Sequence, residues 1–94
     1  LAVNLVVVSY DIGHPRRLRR IARVLEGYGE RVQESVFECW LAPGQLAELQ
    51  RRLGREMNAG EDKIRYYRLC AADGAALQVL GRGQPTRDRP WVAI

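Results

Sequence analysis

The carboxylate of Asp11 closes a short apolar run, residues 5–10 (Leu-Val-Val-Val-Ser-Tyr), and is followed by Ile12-Gly13-His14-Pro15. A continuous run rich in β-branched side chains reads as a buried central strand, so an acid at its end is expected at the rim of a sheet. One carboxylate is not a metal cage. In a two-fold pair of chains, however, Asp11 and its mate repel unless a proton or a cation lies between them. Magnesium suits that arrangement because it keeps several waters and accepts one or two protein carboxylates. An ion held there could activate a water and steady the charge on a phosphodiester. The competing reading is that Asp11 only caps the turn before the first helix.

The second chemical signal is arginine. The chain has 15 basic residues and a net charge of +4, and Lys63 is the only lysine. A planar guanidinium pairs with phosphate through two hydrogen bonds. Arg16, Arg19, Arg20 and Arg23 fall on one side of a helical wheel, and with Arg17 and with Arg31 in the strand beyond they form a footprint suited to a phosphate chain. A solvated helix face is the alternative, yet like charges without interleaved acids repel, so such a helix gains from an anion.

Other residue types offer less. His14, the single histidine, has no partner at metal-ligand spacing and reads as a neutral loop residue. Ser35 lacks His-Asp support, which leaves nucleophilic catalysis without a basis. Cys39 and Cys70 stand far apart and read as free thiols rather than a disulfide or zinc pair. Phe37, Trp40, Tyr66 and Tyr67 read as core or interface rather than stacking platforms.

These side chains need elements to position them. Pro15 suits the first position of a helix in which Leu18, Ile21, Ala22 and Leu25 form the inward stripe, and the glycines at 27 and 29 stop it. Residues 31–41 are rich in strand formers but long for one strand, so two strands with a turn near Glu34-Ser35 are predicted. Pro43 opens a second helix with Leu46, Leu49, Leu53 and Met57 inward, and Glu48 pairing with Arg52 on the wet side. Ala42 stands where Ser or Thr would cap it better. Residues 63–70 and 75–80 read as further strands, and 81–94 as a Gly/Pro/Arg tail.

At 94 residues there is room for one domain, placed at 1–80. No apolar run approaches the roughly 18 to 20 residues that span a bilayer, and no secretory leader is recognisable, so a soluble cytoplasmic protein is expected. The order strand, helix, strand, strand, helix, strand predicts an α+β domain, the ferredoxin-like split arrangement with both helices on one face. The other sheet face is then bare, and strands this apolar call for a second copy as cover.

Three stretches together resemble a known family: Val6-Val7-Val8-Ser9-Tyr10-Asp11-Ile12, then Arg19-Arg20-Ile21-Ala22 through Leu25 to Tyr28-Gly29, then Arg31-Val32-Gln33-Glu34-Ser35-Val36-Phe37-Glu38-Cys39. They are similar to the CRISPR-associated protein two family over about residues 5–70. The resemblance implies a ferredoxin-like homodimer that partners the CRISPR-associated protein one integrase in antiviral defence, bridging duplex DNA while new spacers are captured. It also implies, for many members, a magnesium-dependent endonuclease acting on RNA or double-stranded DNA. By the same resemblance the metal-binding catalytic aspartate falls on Asp11 with Tyr10 beside it, basic helix positions on Arg19 and Arg20, and supporting strand positions on Arg31, Ser35 and Phe37. Residues 75–80 would be the strand exchanged in the homodimer. Where relatives carry acids after Asp-Ile, this chain has Gly13-His14-Pro15. Two other readings stay open: an adaptor that binds DNA without cutting it, and a toxin-type ribonuclease of the virulence-associated group.

Overall fold

A computed structural model describes residues 3–70 and the backbone of 76–80. In chain order the elements are β1 (Asn4–Asp11), α1 (Pro15–Glu26), β2 (Glu30–Gln33), β3 (Val36–Leu41), α2 (Pro43–Glu56), β4 (Lys63–Cys70) and β5 (Ala76–Leu80). The strands form one sheet in the order β2-β3-β1-β4-β5, with every neighbouring pair antiparallel. The first four strands and two helices are the expected ferredoxin-like α+β unit. The final strand is present and pairs with β4 in the single chain, with Tyr66 opposite Leu80 and Cys70 opposite Ala76. The tail 81–94 and the Cys70 side chain lie outside the described residues.

β1 is central, as its apolar run predicts, and its burial alternates. Val6, Val8 and Tyr10 are buried under the helices, whereas Leu5, Val7 and Ser9 on the other face are half-buried. Phe37, Cys39 and Leu41 of β3 and Ile64 and Tyr66 of β4 continue the covered face, and Ile21 and Leu25 of α1 with Leu46, Leu49 and Leu53 of α2 complete the core. Met57, predicted to extend the α2 stripe, is instead the residue that ends the helix and packs half-buried at the core's margin. On the face away from the helices Trp40 is 65% exposed, opposite Leu5, whereas Tyr67, opposite Val7, is buried.

Two predicted details differ in the helices. Leu18 is 39% exposed rather than inward. The helix presents Arg17 inward over that turn, because a buried acid, Asp62, stands beneath it. Glu48 and Arg52 meet through a third group: the Tyr28 hydroxyl donates to Glu48 Oε1 at 2.7 Å and accepts from Arg52 Nη1 at 3.1 Å. Ala42 has no acceptor to cap α2, and Gln45 Oε1 accepts instead from the Ala42 N–H at 2.9 Å. The β2–β3 turn falls at Glu34-Ser35 as predicted.

Gly29 explains the tight passage from α1 to β2. A β-carbon there would stand 2.2 Å from the Glu38 carbonyl oxygen and 2.6 Å from Cys39 Sγ, so only glycine lets the backbones approach this closely.

Candidate nucleic-acid interface and acidic strand tip

α1 owes its position to its sequence at both ends. His14 caps it, its Nδ1 accepting from the Arg16 N–H at 3.1 Å, and Pro15 occupies the first turn. Its apolar stripe then seats it on the sheet and turns Arg16, Arg19, Arg20 and Arg23 outward, where they line one open groove. From Arg16 to Arg23 the helix rises about 10 Å, a length over which duplex DNA carries about six phosphates. All four guanidinium-bearing residues are exposed. Arg20 lies 4.0 Å from Glu56 with its side chain 60% exposed, a pairing that contributes little.

Arg17, grouped with the ridge from sequence, is placed differently. Its Nε donates to Asp62 Oδ2 at 2.8 Å, and its Nη2 to Asp62 Oδ1 at 3.1 Å and to Glu61 Oε1 at 2.8 Å. Its side chain is only 19% exposed, so this cation is engaged inside the protein. Arg31 is exposed on β2 with its guanidinium 5.3 Å from the Phe37 ring centre, a cation–π contact that leaves polar edges to solvent. Phe37 itself is fully buried. Ser35 is half-buried and acts through its carbonyl, which accepts from the Tyr10 N–H at 3.1 Å.

Asp11 is exposed at the end of β1, opposite Lys63 of β4. Strand alternation puts it on the face away from the helices. Tyr10 therefore does not accompany it. That side chain turns to the covered face, 4% exposed, where its ring packs 6.1 Å from Phe37 and its hydroxyl donates to the Glu34 carbonyl at 3.2 Å. Burial raises its pKa above the ordinary tyrosine value, with the Arg31 charge opposing the rise. Among the described residues no three His, Cys, Asp or Glu side chains converge, and the register neighbour of Asp11 is a cation.

The acid that sequence reading passed over is Asp62, 3% exposed. Besides Arg17, its carboxylate accepts from the Gly13 N–H at 2.8 Å and the Asn58 N–H at 2.7 Å. The Arg17 hydrogen bonds outweigh desolvation and hold its pKa down at about 2. One signal for it was present in the chain: Arg17 precedes Ile21 by four residues and so shares its inward side, and an inward arginine needs an acid.

Residues 4–75 match the family described as CRISPR associated protein Cas2. The chain belongs to that family. The CRISPR-associated endoribonuclease Cas2 1 of Chloroflexus aurantiacus is 44% identical over 80 residues, covering 84% of this chain and 86% of its own. Among solved structures, Cas2 of Streptococcus pyogenes superposes with a TM-score of 0.67 at 35% identity, covering 82% of this chain and 99% of that one. A chain of a partial Cas6-RT-Cas1–Cas2 complex superposes with a TM-score of 0.63 at 30% identity, covering 71% and 74%. The family match includes Asp11, all of α1 and the β2–β3 hairpin. Among the described residues no helix is long and apolar enough to cross a membrane.

Proposed function

We propose that the chain is a CRISPR adaptation subunit whose two copies pair through their uncovered sheet faces and hold duplex DNA for the CRISPR-associated protein one integrase. The observation that carries this reading is the row Arg16, Arg19, Arg20 and Arg23, exposed together on one helix face. Such a row reaches phosphates rather than base edges, so binding is expected to be independent of base sequence. The Cas1–Cas2 complex chain among the structural relatives supports the partner. The exposed Trp40 beside half-buried Leu5 and Val7 supports pairing through that face.

A nuclease activity forms the second part of the proposal, favoured by the endoribonuclease name of the Chloroflexus relative. Asp11 from each of two copies would meet one magnesium ion, which needs no more than two carboxylates and would supply an activated water there. RNA and double-stranded DNA are both within reach of a backbone-reading face.

Charge reversal of Arg16, Arg19, Arg20 and Arg23 to glutamate tests the first part by duplex titration across a salt series. The dependence of log affinity on log salt should flatten by up to about 0.9 for each phosphate no longer neutralised; an unchanged slope rejects the interface. Asp11→Ala tests the second: magnesium-dependent cutting should vanish while duplex affinity stays, and a collapse of both rejects the separation of roles. A neighbouring integrase gene rather than an antitoxin gene separates this reading from the toxin-type ribonuclease.

A further inference from the structure

The first turn of α1 is capped by His14 and opened by Pro15, yet its own sequence leaves its charge unbalanced. It contains no acidic residue, although the N-terminal end of a helix carries partial positive charge and favours anions. It contains Arg16 and Arg17 instead, and Leu18, which would anchor it to the core, is left 39% exposed. Arg19, Arg20 and Arg23 follow, adding like charge along the outer face.

Asp62 supplies what is missing from 45 residues away. Its carboxylate receives Arg17 of the first turn, the N–H of Gly13 in the β1–α1 loop and the N–H of Asn58 in the α2–β4 loop, at distances of 2.7 to 3.1 Å. It therefore fastens the helix start, the loop leading to it and the foot of β4 at a single buried point. The next residue, Lys63, is the register partner of Asp11, so the same point also ties the strand tip to the helix.

We propose that Asp62 is a positioning residue for nucleic-acid binding: through Arg17 and Gly13 it presets the angle of α1, so that the outer arginines meet the phosphate backbone as an already ordered row. This rests on the reading of α1 as the phosphate-binding face. Its physical basis is preorganisation, since a row that is already ordered loses less freedom on binding. Arg17 contributes by being held, not by touching phosphate.

The test exploits opposite signs. Asp62→Asn raises the net charge by one, so electrostatics alone tightens binding to an anionic duplex; loss of the clamp weakens it. Glu30→Gln makes the same charge change at an exposed side chain of β2, away from Arg17 and Asp62, and serves as the control. The readout is fluorescence anisotropy of a labelled mixed-sequence duplex, with the folded, binding-competent fraction set by stoichiometric titration so that misfolded protein does not pass for weak binding. We expect Asp62→Asn to raise Kd about three- to tenfold at unchanged salt slope, and Glu30→Gln to leave Kd equal or slightly lower. Asp62→Asn binding as tightly as the unaltered protein overturns the proposal.

Should Asp62→Asn not fold, Arg17→Lys keeps the charge and removes the two-pronged pairing, and is expected to weaken binding at unchanged slope. A slope reduced by about 0.9 in Arg17→Gln would identify Arg17 as a phosphate ligand and overturn the proposal by another route. A slope indifferent to reversal of all four outer arginines would instead reject the phosphate-face reading itself, a result distinct from the behaviour of either clamp residue.

Discussion

Arg17 and Asp62 share two hydrogen bonds from one guanidinium, Nε to Oδ2 at 2.8 Å and Nη2 to Oδ1 at 3.1 Å, with the carboxylate entirely shielded from solvent. Of the arginines in the first half of α1 this one is turned inward, and its acid makes stability depend on pH.

The folded pKa of Asp62, about 2, lies below its ordinary value of 3.8. Stability from this group is therefore complete above about pH 4 and is lost as pH falls through 2. The shift corresponds to about 2 kcal/mol. Denaturant titrations should find Asp62→Asn less stable than the unaltered protein at pH 7, with the gap narrowing below pH 4. A gap independent of pH would mean that the carboxylate charge contributes nothing.

Gly29→Ala should destabilise the fold by about 3 kcal/mol, in the range of core overpacking. The new methyl would meet the Glu38 carbonyl oxygen and Cys39 Sγ well inside van der Waals distance, and neither backbone is free to yield. Gly54→Ala is the control, since a β-carbon there meets nothing within 4 Å and alanine favours a helix interior. Thermal melts of the two variants should move in opposite directions.

Tyr10→Phe should lower stability by about 1 kcal/mol, the cost of the hydrogen bond to the Glu34 carbonyl. Any cleavage the protein performs should continue at an undiminished rate, because the hydroxyl faces away from Asp11. A large fall in the maximal rate of a folded Tyr10→Phe protein would return this residue to the reaction.

Burial pushes the Cys39 thiol up to about 11. At pH 8 it is protonated and enclosed, so alkylation with iodoacetamide should be negligible in the native protein and rapid in denaturant. Mass spectrometry of the peptide containing Cys39 resolves it from Cys70. Fast native labelling would show that the β3 core opens readily.

Much of this molecule was legible along the chain. The apolar run of β1, the prolines that open both helices, the turn at Glu34-Ser35 and the outward set Arg16, Arg19, Arg20 and Arg23 all follow from local pattern. Strand alternation even separates Tyr10 from Asp11, a signal that adjacency in the motif obscured. These features depend on neighbours within about four residues, which is the range over which a sequence pattern speaks for itself.

Only the tertiary structure decided which acid Arg17 meets, that this acid is buried, and that Leu18 is left 39% exposed. Each answer depends on Asp62 meeting Arg17 across 45 positions, and on a sheet order that brings the foot of β4 beside the tip of β1. Local pattern places a side chain on a face; it does not say what stands opposite that face, and the partner sets the energy of a buried charge.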